Sequence, residues 1–107
     1  MNQQQLEEIY EMVDSVSLSR PKKNINRDFS DGLLMAEIIH HYSPKIVATH
    51  NYPSSNAVTK KIVNWTTLNN KVLKKIGIAL SKPEIEDLAN SSPGAIERVL
   101  YQVLLKF

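Results

Sequence analysis

The chain has 107 residues, three glycines, no cysteine and a formal net charge of +2. That length suits one domain with a single core, and the absence of thiols excludes disulfides and thiolate zinc frameworks. No stretch approaches the ~18 apolar residues of a membrane span, and residues 1–8 lack the basic start and apolar run of a signal peptide, so the expectation is a soluble, cytoplasmic protein with no membrane partner. Leu6, Ile9, Tyr10 and Val13 recur at helical spacing and predict a first helix over 3–14. Residues 15–26 lose that period around Arg20-Pro21-Lys22-Lys23, which predicts an exposed basic loop. Asp28-Phe29-Ser30-Asp31-Gly32 then leads into the apolar run Leu33-Leu34-Met35-Ala36-Glu37-Ile38-Ile39. Acids favour a helix N-terminus, and a run broken only by Glu37 reads as a central helix buried on most sides. Asp31-Gly32 also fits a hairpin turn, but no strand-like alternation flanks it.

Ser43-Pro44 closes the central helix, and 45–55 is a connection with turns at Asn51-Tyr52 and Pro53. Ser54 or Ser55 is placed to cap the next helix, read as one element over 56–76 with Gly77 as its stop. Ser81, followed by Pro83 and Glu84, opens a short helix carrying Ile85, Leu88 and Ala89. Beyond Ser92-Pro93-Gly94, the spacing of Ile96, Val99, Leu100, Val103 and Leu104 marks the last helix. The fold class is all-α, a compact helical domain over 1–107 with a buried central helix. The apolar pattern still runs at Phe107, as in a piece of a longer polypeptide.

Catalytic chemistry finds little to work with. There is no Cys nucleophile, no Gly-x-Ser-x-Gly elbow and no phosphate-cradling glycine loop. His40-His41 and His50 are the candidate metal ligands, but adjacent helical side chains diverge by about 100°, and one histidine reads as half-buried beside Tyr42, the other as solvated. The expectation is no enzyme, no catalytic residue, no metal and no cofactor. Two glycosylation sequons, Asn64-Trp65-Thr66 and Asn90-Ser91-Ser92, read as chance matches.

Charge is distributed more tellingly than its sum suggests. Residues 1–14 hold four acids and no base, whereas 38–83 hold seven lysines and no acid. Such asymmetry reads as one basic face, the bland alternative being a solubilising surface. Set on one helix at ~100° per residue, Lys60, Lys61, Lys71, Lys74 and Lys75 fall within an arc of ~140°, with Val58, Ile62, Trp65, Val72 and Ile76 opposite. A break near Thr66-Thr67 would rotate the two halves. Lysines are flexible point charges suited to diffuse attraction, and an array of them suits a repeating acidic surface such as a cytoskeletal filament or a nucleic acid backbone. Trp65 reads as a core residue.

The run from Asp28 to Ile39, and Asn64-Trp65-Thr66-Thr67-Leu68-Asn69 followed by Val72-Leu73-Lys74-Lys75-Ile76-Gly77-Ile78, resemble a calponin-homology domain. Leu18-Ser19-Arg20-Pro21-Lys22-Lys23-Asn24, His50-Asn51-Tyr52 and Pro93-Gly94-Ala95-Ile96-Glu97 resemble the sperm-flagellar branch of that family. The resemblance implies a domain that binds microtubules in the axoneme and central apparatus of cilia or flagella. It also implies a C-terminal coiled coil outside this chain, through which the full-length protein dimerises and bundles microtubules. The isolated domain is expected to be a monomer that binds acidic tubulin through Arg20, Lys22, Lys23, Arg27, Lys60, Lys61, Lys71, Lys74 and Lys75. Asp31 and Gly32 are expected to be structural. Rival readings are an F-actin-binding domain, although only one copy fits here, and an adaptor that docks a protein in an apolar groove. Nucleic acid ranks last, since few stacking or base-reading residues accompany the lysines.

Overall fold

A computed structural model describes residues 1–20 and 23–107, and Pro21 and Lys22 lie outside the described residues. Six α-helices, α1 Gln3–Ser15, α2 Ile25–Asp28, α3 Leu33–Tyr42, α4 Val58–Lys71, α5 Lys82–Ala89 and α6 Ala95–Lys106, are joined by loops with 3-10 turns at Thr49–Asn51 and Leu73–Ile76. No strand occurs among the described residues, and the domain is all-α. The radius of gyration, 12.4 Å, is close to the ~13 Å of a single compact domain of this size.

Local chemistry sets the helix ends. Asn2 caps α1 in a reciprocal box: its side chain accepts from the Gln5 N–H at 2.8 Å, and Gln5 Oε1 accepts from the Asn2 N–H at 3.0 Å. Ser81 and Glu84 form the same box on α5, with Pro83 in the first turn. Ile9, Met12 and Val13 are the buried stripe of α1, which packs on α6. Tyr10, expected in that stripe, is instead exposed, and Met12 takes the inward place. From α6, Ala95, Ile96, Val99, Leu100 and Val103 enter the core as the spacing required. α3 runs through the centre, with Leu34, Met35, Ala36, Ile38 and Ile39 buried.

Three expectations are corrected. The described part of 15–26 is not wholly an exposed loop: Ser15 ends α1, Val16 is buried, Leu18 packs on the core, and Ile25 begins α2. The helix expected as one element over 56–76 is α4, Val58–Lys71, followed by a separate 3-10 turn, Leu73–Ile76. Between them Val72 leaves helical geometry at φ −124° and ψ −60°, and the 3-10 turn stops at left-handed Gly77. Neither Ser54 nor Ser55 is the N-cap of α4, which is Ala57 with no side-chain cap, although Ser55 Oγ accepts from the Ala57 N–H at 3.1 Å.

Asn69 on α4 closes the back of the core. Its amide donates to the Leu80 carbonyl at 3.2 Å and accepts from the Leu80 N–H at 2.9 Å, all buried. A side chain here does for the backbone of Leu80 what a strand neighbour would. Asn69→Ala strands both Leu80 groups away from water, so it is expected to lower unfolding free energy by about 2 kcal/mol in a urea titration.

Candidate docking surface

The surface rests on a polar corner below it. Asp31 is 2% exposed, and its carboxylate accepts from Arg20 Nη2 at 2.8 Å, the Leu33 N–H at 3.1 Å and the Ser55 N–H at 3.2 Å. Asn64 donates to the Asp31 carbonyl and to the Pro53 carbonyl, each at 2.9 Å, while Trp65 Nε1 donates to the Ser30 carbonyl at 2.9 Å. Gly32 caps α3 at φ +79°, and a Cβ there would be strained and would sit 3.7 Å from Asn64 and Trp65. Asp31 and Gly32 are thus structural, and Trp65 is fully buried as expected.

The same corner reassigns Arg20. Its guanidinium, expected to reach a partner, also donates to the Asp28 carbonyl at 2.6 Å and to Ser54 Oγ at 3.0 Å. Its neighbour Ser19 is fastened to α3, where Glu37 accepts from the Ser19 N–H at 2.8 Å and from Ser19 Oγ at 2.5 Å. Arg20 therefore binds the chain to itself. Of the other residues expected in that loop, Lys22 lies outside the described residues, while Lys23 and Arg27 are exposed beside and on α2. Lys23 lines a hollow shared with Tyr10, Val13 and Asp14 of α1 and with Ile25.

The α4 lysines divide among several places. Thr59, Lys60, Val63, Thr66 and Asn70 are exposed and form a stripe about 120° wide. Lys61, turned ~100° from Lys60 toward the Leu68 and Trp65 side, is only half exposed. Val58, expected inside, is 41% exposed. Lys71, at the end of α4, and Lys74 and Lys75, on the 3-10 turn, are exposed. Lys71 and Lys75 share one groove with Lys45, whereas Lys60 lines another with Ser54, Ser55 and Val63. Lys45, absent from the expected contact set, was signalled by its place in the acid-free stretch.

Electrostatics separates the two ends of α4. Lys71, Lys74 and Lys75 lie at the negative end of its dipole, which favours cations. Lys60 lies in the first turn, which has no acid and no side-chain cap, so it adds charge to an end already positive. No ion pair between described residues involves Lys45, Lys60, Lys71, Lys74 or Lys75. His40 and His41 are both exposed, not one half-buried; His40 Nδ1 lies 3.3 Å from the Val47 carbonyl, and His41 meets Tyr42 edge-on. Among the described residues no group of three or more His, Asp or Glu is arranged to hold a metal, and no helix is long and apolar enough to cross a membrane.

Comparison with known proteins gives this surface a context. Residues 9–105 match the family described as "CH-like domain in sperm protein". The chain is similar to sperm flagellar protein 1 of Xenopus laevis, 46% identical over 99 residues, covering 92% of this chain and 43% of that protein. It is 44% identical over 100 residues to the Mus musculus protein of the same name, covering 94% of this chain and 43% of the relative. The Homo sapiens protein of that name is 43% identical over 100 residues, at 94% and 42% coverage. The chain thus spans less than half the length of these relatives.

Two substitutions separate support from surface. Asp31→Ala leaves Arg20 and two backbone donors without their acceptor, and is expected to cost about 2–4 kcal/mol in chemical denaturation, the partial exposure of Arg20 keeping it toward the lower end. Lys60→Glu places an acid at the positive end of α4 and is expected to raise stability by about 0.5 kcal/mol, read as a higher thermal midpoint.

Proposed function

The chain belongs to the family of CH-like domains in sperm protein, and from that premise we propose that it is a microtubule-binding domain of a flagellar cytoskeletal protein, docking electrostatically on the acidic surface of tubulin. The observation that carries this reading is the set of lysines in the acid-free stretch 38–83, left in solvent with no ion pair to any described residue. Unpaired lysines keep their field directed outward, and tubulin presents glutamate-rich tails to it. Lys60, Lys71, Lys74 and Lys75 form the main contact, with Lys61 at its margin and Lys23 and Arg27 as a second patch. The relatives' names support a place in a flagellum, and within it the proposed site is the axonemal cytoskeleton.

Because the chain spans 43% of its Xenopus laevis relative, crosslinking is assigned to the longer protein. Bundling needs two binding surfaces, which dimerisation through a C-terminal coiled coil supplies; this domain alone binds as a monomer without bundling. A second reading, an adaptor for another protein, is favoured by one feature. Ile62, Thr66 and Ile85, with Lys82 and Glu86 at its edge, line an apolar groove of ≈ 420 Å³ between α4 and α5.

Salt and charge reversal decide between the two. Co-sedimentation with microtubules is expected to weaken at least tenfold between low and moderate ionic strength, because lysine contacts are screened, whereas docking in the apolar groove would change little. Lys60→Glu with Lys74→Glu is expected to reduce binding by about tenfold while the domain stays folded, the gain at the positive end of α4 offsetting the loss at its negative end. Lys23→Glu with Arg27→Glu tests the second patch without touching the Arg20–Asp31 tie. Pelleting with actin filaments and not microtubules would overturn the reading.

A further inference from the structure

One groove brings more together than the lysine count suggests. The connection 44–52 forms one wall and residues 70–75 the other, enclosing ≈ 550 Å³ open to solvent. Lys45 stands on the first wall and Lys71 and Lys75 on the second. Asn51 and Asn70 add neutral amides at the rim, and no acid lines it. Its floor includes Tyr52, 1% exposed, and Val72, 2% exposed. Burial pushes the Tyr52 phenol above its ordinary pKa, so the floor stays uncharged at neutral pH. The first wall is a turn over 44–46, closed by the Ile46 N–H on the Ser43 carbonyl at 3.2 Å, and is extended only at Ala48, φ −108° and ψ 105°; the N–H groups of Val47 and Ala48 donate to no described residue.

The geometry points to this groove as the seat of an extended, glutamate-rich peptide segment, the carboxylates pairing with Lys45, Lys71 and Lys75 and the peptide backbone passing the free N–H groups of Val47 and Ala48. Cations on opposite walls suit a strand whose side chains alternate in direction. Amide donors and acceptors at hand suit a peptide rather than a bare anion, since a main chain needs both. The low-dielectric floor strengthens each carboxylate contact relative to open water. The inference rests on reading the domain as a binder of an acidic filament, and it assigns the projecting acidic tails of that filament to this groove.

The test titrates the domain with a synthetic oligoglutamate peptide, an oligoglutamine control and inorganic phosphate, following backbone amide NMR shifts. Oligoglutamate is expected to move amides of 45–51 and 70–75, and oligoglutamine to move none. Lys45→Glu/Lys71→Glu/Lys75→Glu is expected to weaken the peptide at least about tenfold, and the milder triple glutamine variant to fall between, which guards against misfolding. Shifts confined elsewhere, an unaffected triple variant, or phosphate reproducing the pattern at equal affinity would overturn the groove. In parallel, binding is measured to intact microtubules and to microtubules trimmed of their tails by protease. A loss on trimming that matches the triple variant supports the assignment. Equal binding to both overturns the groove and leaves the microtubule reading standing; peptide binding in the groove with no microtubule binding does the reverse.

Discussion

A carboxylate taken out of water must recover the hydrogen bonds that water gave it, and Asp31 recovers them from three separate segments. Arg20 comes from the N-terminal segment, the Leu33 N–H from the start of α3, and the Ser55 N–H from the approach to α4. The charge cost is limited because Arg20 keeps 31% of its side chain in solvent while Asp31 keeps 2%. Around this point the main chain of Ser30 and Asp31 accepts from Trp65 and Asn64, so α4 is hung on the entry to the central helix. Left-handed Gly32 lets the chain turn directly from that corner into α3.

The corner also decides what is left for a partner. Asp28 folds back to accept from the Lys23 and Asn24 N–H groups, Asp31 is buried, and Glu37 is held by Ser19. The three acids that precede the lysine-rich stretch are therefore committed to internal hydrogen bonds. Lys45, Lys60, Lys71, Lys74 and Lys75 make no ion pair with a described carboxylate, and their potential reaches solvent. Lys60 goes further, adding its charge to the uncapped positive end of α4. A surface that gives up helix stability in this way is suited to attracting anions, with α4 as the rigid rod that spaces them.

Much of this was legible from residue order. Ile96, Val99, Leu100 and Val103 announced α6 because a helix returns to the same face every three or four residues. Ser81 with Glu84 announced the start of α5, because a capping box is local chemistry. Tyr10 and Val58 misled, since each sits at the edge of an apolar stripe, where only the neighbouring helix decides which side is covered. One helix was read over 56–76 because the break at Val72 has no proline or glycine of its own; the chain bends there, and Leu73 and Ile78 both reach the core.

The sequence by itself determined the all-α class, the central helix, the buried Trp65 and the acid-free lysine stretch, because period, capping and charge are properties of neighbours along the chain. Only the tertiary structure decided that Arg20 is tied to the buried Asp31, that Lys61 is half-covered, and that Lys45 joins Lys71 and Lys75 across one groove. The first and last of these depend on residues 11 to 30 positions apart, where loop closure and packing, not local propensity, set which side chains meet.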